Sequence, residues 1–173
     1  MTSMDLTSGA TFSEDGRFRF RLWRRWADDA PSGGDVCFIM LNPSTADEVS
    51  NDPTVERCQR RAQRLGYGGL QVVNIFALRS TDPAGLYEDG ADIGDGQENN
   101  RAICDAVAAS DLVIAAWGRH GHYRRRDRAI RELLWVRGTH VFCLGTNRDG
   151  TPKHPLYLRN DCPLVPLECF PSR

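Results

Sequence analysis

The segment "VCFIMLNPSTAD" (36–47) begins as an unbroken apolar run and stops abruptly on polar residues. Continuous apolar runs without alternation are typical of strands that are buried on both faces of a parallel sheet. Asn42, Pro43, Ser44 and Thr45 follow the run, where packing alone would need only an ordinary turn. We therefore predict a buried strand whose carboxyl end carries functional side chains.

Three further apolar runs follow along the chain, at 70–78, 111–117 and 140–145. The segments between them predict helices: the first opens at Asp52-Pro53 and ends at Gly66, and the others cover roughly 98–109 and 124–137. Alternating strands and helices predict a three-layer α/β/α fold with a central, four-stranded, mostly parallel sheet.

The N-terminal segment has a different pattern. Asp15-Gly16 is a turn signal, and arginine alternates with apolar residues from Arg17 to Leu22, which predicts a half-buried antiparallel strand in a β-hairpin. The 173 residues, 40% of them hydrophobic, are enough for one core. We expect a single domain over 1–173, with the hairpin extension in 1–34 and the α/β core in 35–173.

Composition limits the setting and the cofactors. The N-terminus is polar, and no apolar stretch approaches the roughly 20 residues of a membrane span, so we expect a cytoplasmic protein without a membrane partner. The six cysteines form no C-x-x-C pair and are interpreted as reduced thiols, although Cys162 and Cys169 remain candidates for a bridge or cluster. His120 and His122 lack a ligand pattern around them, so we predict no metal and no cofactor.

The net charge is −1, so no global field attracts nucleic acid. However, 21 of the 22 basic residues are arginines, and they concentrate in 17–25, 57–64 and 119–131. Codon bias in a GC-rich genome explains such usage. Phosphate recognition by the planar guanidinium explains it too, and both interpretations stay open.

Ligands of open α/β sheets bind beyond the carboxyl ends of the strands. In this chain those ends are 41–47, 74–83, 117–122 and 144–158, and each carries polar or basic side chains. The opposite strand ends carry no comparable groups. The sequence therefore predicts one site at the carboxyl ends.

Four motifs in register at these ends resemble the uracil-DNA glycosylase superfamily over about two thirds of the chain, from Cys37 onward. "IMLNPST" is similar to its first motif, chiefly in the mismatch-specific and single-strand-selective branches. "LQVVNIFALR" resembles the strand whose asparagine binds the flipped base, "VIAAWGRHG" the strand ending in Trp-Gly, and "KHPLYL" the His-Pro loop near the leaving base. More closely, "LNPSTAD", "NDPT", "NIFALRSTDP" and "AWG" look like a small bacterial and phage family known as domain of unknown function 1643.

The superfamily resemblance implies roles for particular residues. Catalysis is assigned to Asn42, which would hold the attacking water, to His154, which would donate to the leaving base, and to Asp47, which would supply a carboxylate. Asp52 is a less favoured alternative to Asp47 for this carboxylate. Base binding is assigned to Asn74, Phe76 and Pro43. DNA binding is assigned to the polar, basic and loop residues Ser44, Thr45, Arg79, Arg119, His120, Lys153, Leu156 and Tyr157.

Structural roles stay open beside these assignments. Asn42 and Ser44 are also typical turn caps, Asn74 is able to hold a neighbouring loop, and a loop histidine is often a plain surface residue. Asn42 departs from the aspartate of the uracil-specific branch, and an amide does not titrate. Leu156 and Tyr157 replace the small polar residues of the superfamily loop, and Leu156 is a candidate wedge into the duplex.

The function expected from this resemblance is a monofunctional DNA glycosylase. It would hydrolyse the N-glycosidic bond of a modified pyrimidine, leave an abasic site, and act as a monomer on duplex DNA with a flipped base. A likeness to anti-phage glycosylases that remove glucosylated hydroxymethylcytosine implies a role in defence. The alternatives are a non-catalytic nucleic-acid or nucleotide binder on the same fold, and a nucleotide hydrolase.

Overall fold

The computed structural model describes residues 7–169, and within that range the strands form one seven-stranded sheet. The spatial order is β1-β2-β4-β3-β5-β6-β7. In chain order the strands are β1 (Ser8–Phe12), β2 (Arg19–Arg25), β3 (Asp35–Met40), β4 (Gly69–Asn74), β5 (Leu112–Ala115), β6 (Phe142–Cys143) and β7 (Val165–Pro166).

The four parallel strands β4, β3, β5 and β6 form the centre of the sheet. The predicted four-stranded sheet is therefore too small: β2 pairs antiparallel with β4, β1 with β2, and β7 with β6. The unpaired backbone groups of β4 and β6 need partners at the sheet edges, and the antiparallel strands supply them. The N-terminal hairpin is thus a continuous part of the sheet.

Helices cover both faces of the sheet, and the predicted α/β class is confirmed. Helix α1 (Pro53–Arg64) packs on the face that presents Phe38, and helices α2 (Gln97–Ala108) and α3 (Arg126–Val136) pack on the face that presents Ile39. Neighbouring residues of β3 thus enter opposite cores, which explains why its sequence is apolar throughout.

Helix α1 begins and ends where the sequence predicts. The Asp52 carboxylate accepts a hydrogen bond from the Val55 amide at 2.8 Å, Pro53 occupies the first turn, and Gly66 leaves the helix with a φ of 83°. The helical spacing also places Arg61 on the outer face, and this prediction is wrong. Arg61 is 4% exposed, because its guanidinium binds the carbonyls of Arg159, Asn160 and Cys162.

The alternation in β2 also fails at one residue. Thr11 pairs with Arg21 but Phe12 pairs with Arg19, so Phe20 is an extra residue that turns Arg19 inward. Arg19 is 1% exposed, donates to the Ala46 carbonyl at 2.9 Å, and lies 3.4 Å from Asn74 Oδ1. Burial lowers the pKa of Arg19 to about 10.

Two further features of the described chain bear on its chemistry. All six cysteines, including Cys162 and Cys169, are free thiols, so the bridge left open by the sequence is not formed. Between residues 7 and 169, no helix is long and apolar enough to cross a membrane.

Candidate functional site

A cavity of about 710 Å³ lies at the carboxyl ends of the four parallel strands. The loop after each strand contributes to its wall: Asn42 follows β3, Ser80 follows β4, Trp117 follows β5 and His154 follows β6. The chain leaves β3 toward α1 and leaves the adjacent β5 toward α3, on the opposite face of the sheet. Such a topological switch point is where open α/β sheets bind ligands.

Asn42 in this cavity has a fixed orientation. Its Nδ2 donates to the carbonyl oxygens of Ser80 at 2.9 Å, Pro43 at 3.1 Å and Leu78 at 3.4 Å. Because three acceptors surround this atom, it must be the nitrogen of the amide. The oxygen Oδ1 faces the other way, and no group in residues 7–169 donates a hydrogen bond to it. Asn42 thus presents a free acceptor while its nitrogen holds the loop after β4.

His154 presents a donor to the same cavity. Its Nδ1 accepts a hydrogen bond from the Leu156 amide at 3.2 Å, so the proton of the neutral ring lies on Nε2. Burial lowers the pKa of His154 below its ordinary value of 6.5, and the Asp52 carboxylate partly opposes this shift. At neutral pH the ring is therefore uncharged and donates through Nε2.

Asp52 is the carboxylate of the cavity wall. Its carboxylate accepts a hydrogen bond from the Val55 amide, which caps α1, and lies 3.4 Å from the Ala46 amide. These two contacts hold the largely buried side chain at a fixed position in the cavity wall. Its charge acts on His154 and on the guanidinium of Arg19 behind the wall. The site thus combines an amide oxygen, an imidazole donor and a carboxylate.

Basic side chains border the cavity. Arg119, His120 and Lys153 all line it, and His120 Nδ1 lies 2.7 Å from the hydroxyl of Tyr87. Ser44, Leu156 and Tyr157 also line it, and the Tyr157 side chain is 87% exposed.

The glycines of the β5 loop explain its close packing. Gly118 has a φ of 76° and donates to the Pro152 carbonyl at 2.9 Å, which ties this loop to the one that carries His154. A Cβ atom on Gly121 would lie 2.3 Å from the indole of Trp117. The buried indole in turn donates to Asp127 at 2.7 Å, so the Trp-Gly motif fixes the cavity wall.

The three residues assigned to base binding lie outside the cavity. Asn74 is 2% exposed, and its side-chain oxygen faces Arg19 rather than the open space. Phe76 is fully buried in the core beside α2 and α3, where it contacts Tyr123. Pro43 is buried behind Asn42, and its carbonyl accepts from the Ser80 amide.

Three further assigned residues also lie away from the cavity wall. The Asp47 carboxylate accepts from the Val49 and Ser50 amides and so closes its own turn. Thr45 is exposed beside that turn. Arg79 extends toward the N-terminal hairpin, where it donates to the Gly16 carbonyl.

No cluster of three or more His, Cys, Asp or Glu side chains able to hold a metal ion occurs in the described range 7–169. The polar groups of the cavity come from different loops and are mixed in charge. They form a set suited to hydrogen bonding with an organic ligand.

A family model described as "Protein of unknown function (DUF1643)" matches residues 19–156. The chain belongs to the DUF1643 family. The matched range begins in β2 and ends in the loop of His154, so it includes all the strands that form the cavity. Comparisons with curated proteins and with solved structures found no match.

Some cavity residues of this DUF1643 protein did not emerge from the sequence as leading candidates. Asp52 appears there chiefly as a helix cap, a role that it does have. Ser80, Thr81 and Asn147 line the cavity from loops with turn-like composition. The polar clusters at the ends of β4 and β6 are the only signal in the sequence that could have found them.

Proposed function

We propose that this protein is a DNA glycosylase that hydrolyses the N-glycosidic bond of a modified pyrimidine and leaves an abasic site. One observation carries the proposal: an unpartnered amide oxygen of Asn42 and a neutral imidazole donor of His154 line the same open cavity. N-glycosidic cleavage needs a positioned water beneath the sugar and a donor beside the departing base.

Asn42 would orient the water. Its pinned Oδ1 accepts a hydrogen bond from the water, whose oxygen forms the new bond to C1′ while the bond from C1′ to the base breaks. The amide takes up no proton, so the proton of the attacking water passes to solvent. This arrangement suits a base that leaves readily.

His154 and Asp52 would divide the charge that develops. The electron pair of the broken bond moves onto the base, and Nε2–H of His154 donates to the pyrimidine oxygen that receives this charge. The sugar becomes cationic, and the fixed carboxylate of Asp52 stabilises it electrostatically. Asp52 therefore takes the part that the sequence assigned to Asp47.

Base recognition would fall to residues other than those assigned from the resemblance. Asn74 and Phe76 are buried in the fold, whereas Ser44 and Asn147 line the cavity with hydrogen-bonding groups. The volume of about 710 Å³ is within the range of small-molecule pockets and leaves room for an enlarged base. We therefore favour a modified pyrimidine as the substrate, and cytoplasmic defence against phage with modified DNA as the setting.

A second candidate is a non-catalytic nucleic-acid binder. It is favoured by the non-titrating amide at position 42, in the place where the uracil-specific branch carries an aspartate. A hydrolase of free nucleotides is the third, since the net charge of −1 gives no general attraction to DNA.

An assay for abasic sites separates these candidates. Purified protein is incubated with duplexes that contain uracil, hydroxymethylcytosine or glucosylated hydroxymethylcytosine, and with the free nucleotides. The proposal predicts abasic sites in at least one duplex, and a loss on the order of 100-fold in Asn42→Ala with DNA binding retained. DNA binding without abasic product across the panel, or cleavage of free nucleotides alone, would contradict it.

A further inference from the structure

A second depression adjoins the cavity, between α1 and the loop after His154. Arg57 and Arg64 of α1 form one wall, and Arg159, Asn160 and Asp161 form the other. The segment 156–158 lines both the depression and the cavity, so the two spaces adjoin along this segment. We call this depression the arginine groove.

The arginine groove is locally cationic in a chain whose net charge is −1. Its lining carries three arginines and one aspartate, a net charge of +2. The one carboxylate, Asp161, accepts two hydrogen bonds from Arg159, at 3.0 and 2.9 Å, and both side chains are largely exposed to solvent. The net positive charge of the groove therefore lies on the α1 wall, and it attracts an anionic ligand into the space between the walls.

The fold leaves the guanidinium groups of these arginines available to a ligand in the groove. Within residues 7–169, Arg57 donates only through Nη1, to the Leu158 carbonyl at 2.8 Å and to Asn160 Oδ1 at 3.4 Å, which leaves the rest of its guanidinium open to the groove. Arg64 follows seven residues later, about 10 Å along the same helix. Arg61, between them, is used to anchor the opposite wall.

The position of the groove distinguishes among anionic ligands. A nucleotide in the cavity must keep its 5′ and 3′ phosphates outside, and segment 156–158 is the border between the cavity and the groove. Tyr157 is exposed at this border and offers an aromatic face of the kind on which bases stack. An acidic peptide would match the charge of the groove, but it would leave the adjoining cavity and the exposed ring of Tyr157 without a role in binding.

We propose that the arginine groove binds the sugar–phosphate backbone of the DNA strand whose nucleotide enters the cavity. Arg64 and Arg159 contact phosphates from the two walls, and Arg57 contacts a phosphate while holding the loop. The inference rests on the proposed function in taking the cavity ligand to be a nucleotide of the same strand.

Fluorescence anisotropy with a labelled single-stranded 12-mer of unmodified thymidine tests the groove without any cleavage. Binding is measured over a range of salt for wild type and for R64Q/R159Q. Each lost phosphate contact lowers the slope of log K against log salt by about 0.7, so we expect a reduction of about 1.4. At low salt we expect an affinity loss on the order of tenfold.

The matched control is R101Q/R128Q, which removes the same charge from exposed positions on α2 and α3, across the sheet. We expect this control to keep the wild-type slope to within about half a unit. Equal slopes for R64Q/R159Q and wild type, or equal losses in the two double variants, would overturn the inference. Competition by poly-glutamate as strong as competition by unlabelled DNA would also overturn it and would indicate an acidic protein segment.

The two proposals fail separately in these experiments. If wild type releases base and the salt slope of R64Q/R159Q equals that of wild type, only the proposal for the arginine groove is overturned. If R64Q/R159Q lowers the salt slope and no duplex releases base, only the glycosylase proposal is overturned, and the proposal for the arginine groove stays supported.

Discussion

At the scale of single residues, the two ends of the Asn42 amide have different partners. The nitrogen is held by three loop carbonyls, and no group in residues 7–169 donates a hydrogen bond to the oxygen. An asparagine therefore suits this loop better than an aspartate, because a carboxylate would set a negative oxygen against three carbonyl oxygens. The departure from aspartate is thus a structural requirement of this chain.

Replacing Asn42 with aspartate tests that requirement. Asn42→Asp should lower the free energy of unfolding by about 1–3 kcal/mol, because hydrogen bonds are lost and like charges approach. Urea unfolding at neutral pH measures the change. Asn42→Ala is the matched control, since it loses the same bonds without the repulsion and should be less affected. An aspartate variant as stable as wild type would contradict the account of this loop.

His154 should give stability a pH dependence of known sign. Burial holds its folded pKa below 6.5, so the unfolded chain takes up a proton that the folded chain excludes. The stability contributed by the neutral ring is present above pH 6.5 and is lost as the pH falls toward the folded pKa.

Urea unfolding of wild type and His154→Gln between pH 7.5 and 5 measures this contribution, since other titrating groups cancel in the difference. We expect wild type to lose more stability on acidification than His154→Gln. Equal losses in the two proteins would show that His154 titrates alike in the folded and unfolded states.

Residue roles were the hardest to predict from the sequence. Asn42 and His154 were found because each follows a strand end and sits beside a proline. Asn74 has the same polar character in an apolar strand, but the bulge at Phe20 brings Arg19 against it. No local pattern reports such a contact, because it joins residues 55 positions apart.

At the scale of elements, the sequence predicts where a helix begins and ends when its capping residues are local. It does not predict which distant strand segments pair. Asp52, Pro53 and Gly66 define α1 locally, and its bounds follow from them. By contrast, β6 and β7 have two residues each. Their antiparallel pairing places Phe142 opposite Pro166, which lies much later in the chain. Strands this short depend on their neighbours rather than on their own sequence.

The start of α1 links helix capping to the site. Asp52→Asn keeps a good N-cap but removes the charge that acts on the buried guanidinium of Arg19, so we expect a loss of about 1 kcal/mol in stability. Base release should fall on the order of tenfold to 100-fold, because the carboxylate no longer stabilises the cationic sugar.

Single-turnover base release and urea unfolding of Asp52→Asn and Asp52→Ala separate the two roles. Asp52→Ala should lose about 1 kcal/mol more than Asp52→Asn, because the cap is absent as well as the charge. Full activity in Asp52→Asn would remove Asp52 from the reaction.

The loop after His154 places Tyr157 in solvent, where its ring is accessible to DNA in the proposed complex. Tyr157→Ala should change stability by less than about 0.5 kcal/mol. Base release from duplex DNA should fall more than release from a single strand, because an inserted ring offsets the cost of unstacking the target base. The ratio of the two rates is the measurement, and Tyr157→Phe is the control. An unchanged ratio in Tyr157→Ala would exclude this role.

At the scale of the whole molecule, the polar side chains of the candidate site lie together at the carboxyl ends of the parallel strands. The loops of four parallel strands converge on the cavity, and the arginine groove lies beside it along α1. The α/β class and the position of the cavity follow from the sequence, because parallel strands place their carboxyl ends together. The shape of the cavity did not follow, since it depends on loop contacts such as that between Gly118 and Pro152.

The joint role of Asn42 and His154 is tested by single-turnover release of free base from the best duplex substrate, with wild type, Asn42→Ala, His154→Gln and the double variant. We expect each single variant to lose on the order of 100-fold in rate with unchanged DNA affinity, and the double variant to lose less than the product of the two losses. Release by the double variant at the wild-type rate would contradict the claim that these two side chains act together on one glycosidic bond.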